Sequence, residues 1–252
     1  MSTLRLVFSR QWLLTTILVL IGSAICVAFG LWQLDRLNQR RAFNAHYLEN
    51  KTRPTLTLTA TPSDDLTKME YRAVIATGVY DFEHQVALRN QFHNGQSGYQ
   101  LLTPLILSDG TGILIERGWI PANGNDQPIH WHIYDQSGEI TISGVLRLGQ
   151  TESEIGGIPD PTLAPGQASL MVWNLVNVTR IARQVPYPLL PVFVQPDPDL
   201  SLTQPPYPTQ PEIAITEGPH FGYAIQWFSF AALLFFGYPF FYLRRQVKPE
   251  EK

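Results

Sequence analysis

Cysteine is almost absent: the 252 residues contain one, Cys26, and it lies inside an apolar run. A chain with a single thiol forms no internal disulfide and builds no thiolate metal site. The rest of the molecule must therefore hold by packing alone. Charge is scarce too, at 15% of residues with a net of −3. That balance offers no basic surface of the kind nucleic acid selects, and no nucleic-acid partner is expected. Catalytic signatures are also missing. There is no GxSxG elbow, P-loop, HExxH or paired-cysteine motif. "GQSGY" (95–99) has the wrong spacing for a nucleophile elbow and falls in a hairpin connection. The chain is expected not to be an enzyme. It shows no internal repeat and no low-complexity tract.

What is present begins with two long uncharged runs. Gln11 to Leu34 carries no charged residue and, as a helix, reaches roughly 36 Å, enough to cross a hydrocarbon core of about 30 Å. Phe221 to Leu243 is a second such run. The first is too long for a cleaved signal peptide and lacks its small-residue cleavage site. The reading is therefore two transmembrane helices, 11–34 and 221–243. Arg5 and Arg10 precede the first, and Arg244, Arg245 and Lys248 follow the second. Positive flanks prefer the cytosol. This predicts a cytosolic N-terminus (1–10), a cytosolic tail (244–252) and an extracytoplasmic segment 35–220, in a bacterial plasma membrane. Arg36, Arg40 and Arg41 oppose that orientation.

Residues 35–50 keep a helix-forming composition and extend the first helix outward. The pattern then changes to period two. Strands are expected at 71–80, 85–90, 99–107, 112–120, 139–148 and 191–195, with "SDGT" (108–111) as a hairpin turn. Connections this short favour antiparallel neighbours. "NVTRIARQV" (177–185) reads as a short helix capped by Asn177. Half of the 20 prolines fall between Pro186 and Pro219, which predicts an extended connector back to the membrane. The expected fold class is a membrane protein: two transmembrane helices anchoring a mainly antiparallel β (α+β) extracytoplasmic domain.

Few residues carry candidate chemistry. His130 and His132 would share a face if their segment were a strand, but no third ligand is near, and two solvated histidines are the simpler reading. His46, His84 and His93 read as surface residues. In "ERGW" (116–119), Arg117 and Trp119 point to one face of a strand and Glu116 to the other. This is either a structural ion pair with a packed indole or a partner-contact patch. His220 is different. Pro219 favours a helix start, so His220 lies in the first turn of the second span. His220, Tyr223, Ala224, Trp227 and Ala231 share one face at 100° per residue. The positive end of the helix dipole favours a neutral imidazole with a free lone pair, the form that ligates a metal. An interfacial histidine bonded to a headgroup or to the first helix remains the alternative.

Four motifs, in order, carry a resemblance. They are "GLWQLDR" (30–36), "NGQSGYQLLTPL" (94–105), "ILIERGWIP" (113–121) and "PHFGYAIQW" (219–227). The chain resembles the Surfeit-locus-type (Surf-one and Shy-one-like) assembly factors of haem-copper cytochrome oxidase, over nearly its whole length. That family commonly has Asn where this chain has Glu116. The resemblance implies a role in building oxidase subunit I at the stage of haem insertion. It also implies haem a as the group handled and the motif histidine, His220 here, as its axial ligand. Haem a synthase and the lipid bilayer are the further partners implied. Gln33 would then support the His220 ring, Trp32, Trp227 and Tyr223 would offer surface to the macrocycle, and Arg36 would either meet a propionate or snorkel to the lipid headgroups. The alternative is a haem-free scaffold that stabilises oxidase assembly intermediates. An extracytoplasmic enzyme or copper carrier, lacking catalytic and thiol motifs, comes last.

Overall fold

The computed structural model describes residues 10, 12–153, 156–163, 166, 167 and 169–246, with side chains as far as Phe240. Arg5 and Lys248 lie outside the described residues, as do the side chains of Arg244 and Arg245. The chain divides into two compact units, one of 1–46 with 214–252 and one of 47–213.

The first unit is a helix pair. Helix α1 spans Leu13–Thr52, and its partner from the far end of the chain, named α3 below, spans His220–Gln246. Both are long and apolar enough to cross a membrane. Thr16, Ser23, Gly30, Leu37 and Asn44 are buried on α1 at seven-residue intervals. Ala224 and Ala231 repeat the interval on α3. A seven-residue period keeps one seam facing a neighbouring helix. Small residues along the seam let two apolar helices approach without help from water. At Gly30 the approach is tight: a Cβ there would fall 2.6 Å from the Phe228 ring. Thr16 Oγ1 and the Tyr238 hydroxyl, 3.0 Å apart, join the pair nearer its other end.

The second unit is a sheet of eight strands in the order β1-β2-β6-β8-β5-β4-β3-β7. They are β1 (Leu56–Leu58), β2 (Ala73–Tyr80), β3 (Val86–His93), β4 (Gln96–Ile106), β5 (Gly112–Pro121), β6 (Glu139–Leu148), β7 (Val172–Trp173) and β8 (Leu189–Pro196). Strand β2 also pairs with β4, through Val79 with Ile106 and Tyr80 with Leu105. That second pairing closes β2-β6-β8-β5-β4 into a five-stranded barrel, and closure removes the free edges of an open sheet. Period two explains the interior. Ile113 and Ile115 of β5 join Val74, Leu105, Leu146, Val192 and Val194 in one cluster, while Leu114 packs on the other side with Leu102, Phe193 and Trp173. Strand β5 is buried on both faces, which accounts for its unbroken apolar run. A short helix, α2 (Val178–Ile181), covers that outer cluster, and the Asn177 side chain accepts the Arg180 N–H as its cap.

The six strands expected from the sequence are present, and most pairings are antiparallel. Three are parallel: β1–β2, β3–β7 and β5–β8. Two of these involve strands of three and two residues that carry too little pattern to be read. The third joins segments far apart in sequence, which connection lengths do not foresee. The proline-rich segment differs as well. Its start is interior strand β8, and the extended connector runs only from Asp197 onward.

Candidate functional site

The site is assembled on two stripes, one on each long helix. On α1, Phe29, Gln33 and Arg36 recur at helical spacing. On α3, His220, Tyr223, Trp227 and Phe230 do the same. Two contacts tie the stripes together. The Nδ1 atom of His220 lies 2.8 Å from the Gln33 side-chain oxygen. The Phe29 and Trp227 rings stand 4.8 Å apart, with Phe230 edge-on to Trp227 at 6.0 Å. An imidazole thus sits at the end of a short aromatic wall.

With the Gln33 amide oxygen as acceptor, Nδ1 is the donor and Nε2 holds the lone pair. The flank of Nε2 is open for a local reason. Gly218 has φ +67°, which an L side chain rarely adopts, and a Cβ there would lie 3.5 Å from Nε2. Trp32 and Arg36 stay exposed together, with the guanidinium 5.5 Å over the indole and donating to Gln39 Oε1 at 2.8 Å. Tyr223 is about half exposed, at 49%. Of the small residues on the histidine face, Ala224 is fully buried, while Ala231 lines a cavity of about 440 Å³ between the helices with Ser23, Val27, Phe228 and Phe235. Phe230 remains exposed beside Trp227.

Sequence reasoning missed the residues that hold the entry to α3. Arg40 and Arg41 looked like topological anomalies, yet both bond to the segment before His220. Their placement on the outer side of the apolar run was the one available signal.

The other candidates resolve as structure. The segment of His130 and His132 is a 3₁₀ turn (Pro128–Tyr134), not a strand. Each imidazole lies beside its own carboxylate, Asp126 at 3.2 Å and Asp135 at 2.7 Å. No group of three metal-ligating side chains occurs among the described residues. His84 and His93 are pinned rather than solvated: His84 pairs with Asp81 at 2.6 Å, and His93 stacks on Tyr207 at 5.1 Å. In "ERGW", Arg117 and Trp119 are buried, so neither is a surface patch. The indole is packed, and Arg117 takes neutral partners and aromatic rings in place of an ion pair. A bulge sets Gly118 opposite Leu101 and Glu116 opposite Leu102, leaving Arg117 without a cross-strand partner. Its guanidinium lies over the Tyr80 and Phe82 rings and donates to Gln85 Oε1 at 2.9 Å and to the Tyr134 carbonyl.

Glu116 points the other way and accepts from Gln195 Nε2 at 2.7 Å. Burial pushes its carboxyl up to about 7. A carboxyl raised in the folded state favours folding while protonated. Its contribution is full below the ordinary value of 4.5 and is lost as pH rises through about 7. The wild type should therefore lose on the order of 3 kcal/mol between those limits relative to Glu116→Gln. Denaturant melts of both proteins across that range check this, and parallel pH profiles would refute it.

The site belongs to a barrel domain joined to a pair of helices long and apolar enough to cross a membrane, with a histidine and a glutamine bonded across the pair. The SURF1 family profile matches residues 20–232, and the chain belongs to that family. Among relatives, a SURF1-like protein of Rickettsia felis is 35% identical over 107 residues, covering 42% of this chain and 46% of its own. The match spans about half the length of this and of the Rickettsia bellii relative. An uncharacterised SURF1-like protein of Mycobacterium bovis is 25% identical over all of this chain and 91% of its own. A yeast cytochrome oxidase assembly protein, SHY1, is 36% identical over 36% of this chain and 24% of its own length.

Proposed function

We propose that this protein is a membrane-anchored assembly factor for cytochrome oxidase that holds haem a, as cargo, for delivery to subunit I. Family membership supports the assembly role. The observation that carries the haem reading is the His220–Gln33 hydrogen bond, with glycine at 218 beside the opposite ring nitrogen. The residues present fit such a group. An imidazole oriented through Nδ1 presents Nε2 as an axial ligand, the usual arrangement for a histidine on a metal. The Phe29, Trp227 and Phe230 rings give apolar surface on the same flank. Arg36 keeps N–H groups beyond its bond to Gln39, and these suit a propionate. The iron chemistry belongs to the oxidase; this chain binds the group until transfer. Haem a synthase as donor and subunit I as recipient are the partners of this reading.

The proposed topology puts both termini in the cytosol of a bacterium and the barrel outside the plasma membrane. Two helices long and apolar enough to span support it, as do the arginines at their inner ends. Two measurements test the proposal. Full-length protein purified from cells making haem a should show a Soret band at near one haem per chain. A reporter active only outside the cytosol should be silent when fused after Lys252. A haem-free preparation would favour the scaffold reading, and an active reporter would reverse the topology.

A further inference from the structure

The segment Ala214–Glu217 leads directly into α3, yet it belongs to no helix or strand. Side chains of α1 hold it instead. Arg40 donates from Nε to the Thr216 carbonyl at 3.0 Å and from Nη2 to the Ala214 carbonyl at 2.5 Å. Asn44 donates to the same Thr216 carbonyl at 3.2 Å. Arg41 grips Glu217 with two parallel bonds, Nε to Oε1 at 2.7 Å and Nη2 to Oε2 at 3.0 Å. Planar bidentate pairing fixes direction as well as distance. Two residues then separate the grip from His220. Gly218 is held at φ +67° and accepts no ordinary side chain there, and Pro219 has its φ fixed by its ring. Little slack remains between Glu217 and the imidazole.

We infer that Arg40, Arg41 and Asn44 are positioning residues for His220: they clamp the chain entering α3 to the same helix that supplies Gln33. The ring is thereby referenced to α1 twice, directly through Gln33 and two turns further along through the clamp. The inference deepens the haem reading and rests on it for function, although the geometry stands without haem. It also accounts for arginines on the side of the apolar run where charge rules disfavour them. Arg40 and Arg41 have structural partners, carbonyls and a carboxylate of their own chain.

Both partners of the Arg41–Glu217 pair are about half exposed, with side-chain exposures of 53% and 51%. Exposed pairs contribute little to global stability, so breaking this one should spare the fold and disturb the site. Arg41 holds the Glu217 carboxyl below the ordinary carboxylate range. The clamp is therefore complete above that range and is lost as pH falls through the lowered value.

The test compares Arg41→Glu, Glu217→Arg and the double exchange in the full chain in lipid nanodiscs, with Arg41→Gln as a milder variant. Two readouts are taken: haem a affinity by Soret titration, and the Nδ1–H resonance of ¹⁵N-labelled His220 in haem-free protein. Each single reversal should weaken haem binding about fivefold and broaden the His220 resonance. The double exchange should return both to within about twofold of wild type, and Arg41→Gln should fall between. Single variants with unchanged affinity and resonance would overturn the inference, as would an exchange no better than the singles. If wild-type protein binds no haem, the proposed function fails, and the His220 resonance still decides the clamp.

Discussion

Replacing His220 by Ala is expected to remove haem a from the purified protein while leaving its amount in the membrane and its barrel unchanged. The imidazole is half-buried at the start of α3 and is hydrogen-bonded to Gln33. Its removal strands only a glutamine amide at a partly open surface, a modest structural loss. The binding loss is larger, because the variant removes the nitrogen that would meet the iron. Gln33→Ala should weaken binding by about 10-fold or more, the range for partners that orient a metal ligand. His220→Ala should exceed that. Full haem occupancy with an unchanged Soret band in His220→Ala would show that the ligand is elsewhere and would favour a haem-free scaffold.

The second large effect lies in the barrel domain and is one of stability. Arg117→Ala should cost about 3 kcal/mol or more. Arg117 is 6% exposed, and its guanidinium contacts Tyr80, Phe82, Gln85 and Tyr134. Truncation leaves the Tyr134 carbonyl short of a donor and opens a cavity over the adjoining Tyr80 and Phe82 rings. Gln85 keeps its bond from Thr103, at 2.6 Å, which limits the damage on that side. Arg117→Lys should recover only part of the loss, since an ammonium matches neither the fork of hydrogen bonds nor the contact of a planar cation with two rings. Urea melts of the three proteins at one pH provide the measurement. An Arg117→Ala variant as stable as wild type would mean that the buried charge is dispensable.

Much of this architecture was legible in the amino-acid order because it rests on periodicity. Uncharged runs marked both long helices, and alternation marked β2 to β6 and β8. The asparagine cap at 177 was local chemistry and was readable for that reason. Features that depend on long-range geometry were not. Strand β7 is two residues that acquire meaning only beside β3. The bulge at Arg117 and Gly118 inverts the alternation that placed Arg117 and Trp119 on a common face. Gln33 and His220 could be paired from the sequence because antiparallel spans bring their ends to one depth. Arg41 and Glu217 meet by the same logic, but their partnership was hidden by reading arginines only as signals of orientation.

The strand order has a consequence for synthesis. Strand β8, the last to be made, inserts between β6 and β5, so the barrel cannot close until Leu189–Pro196 has emerged. Before that moment the nascent domain holds β5 and β6 with unsatisfied edges, a high-contact-order intermediate that is slow to complete and open to mispairing. α3 follows within two dozen residues of β8, so closure of the barrel and arrival of the second apolar helix are nearly simultaneous events in the life of the chain.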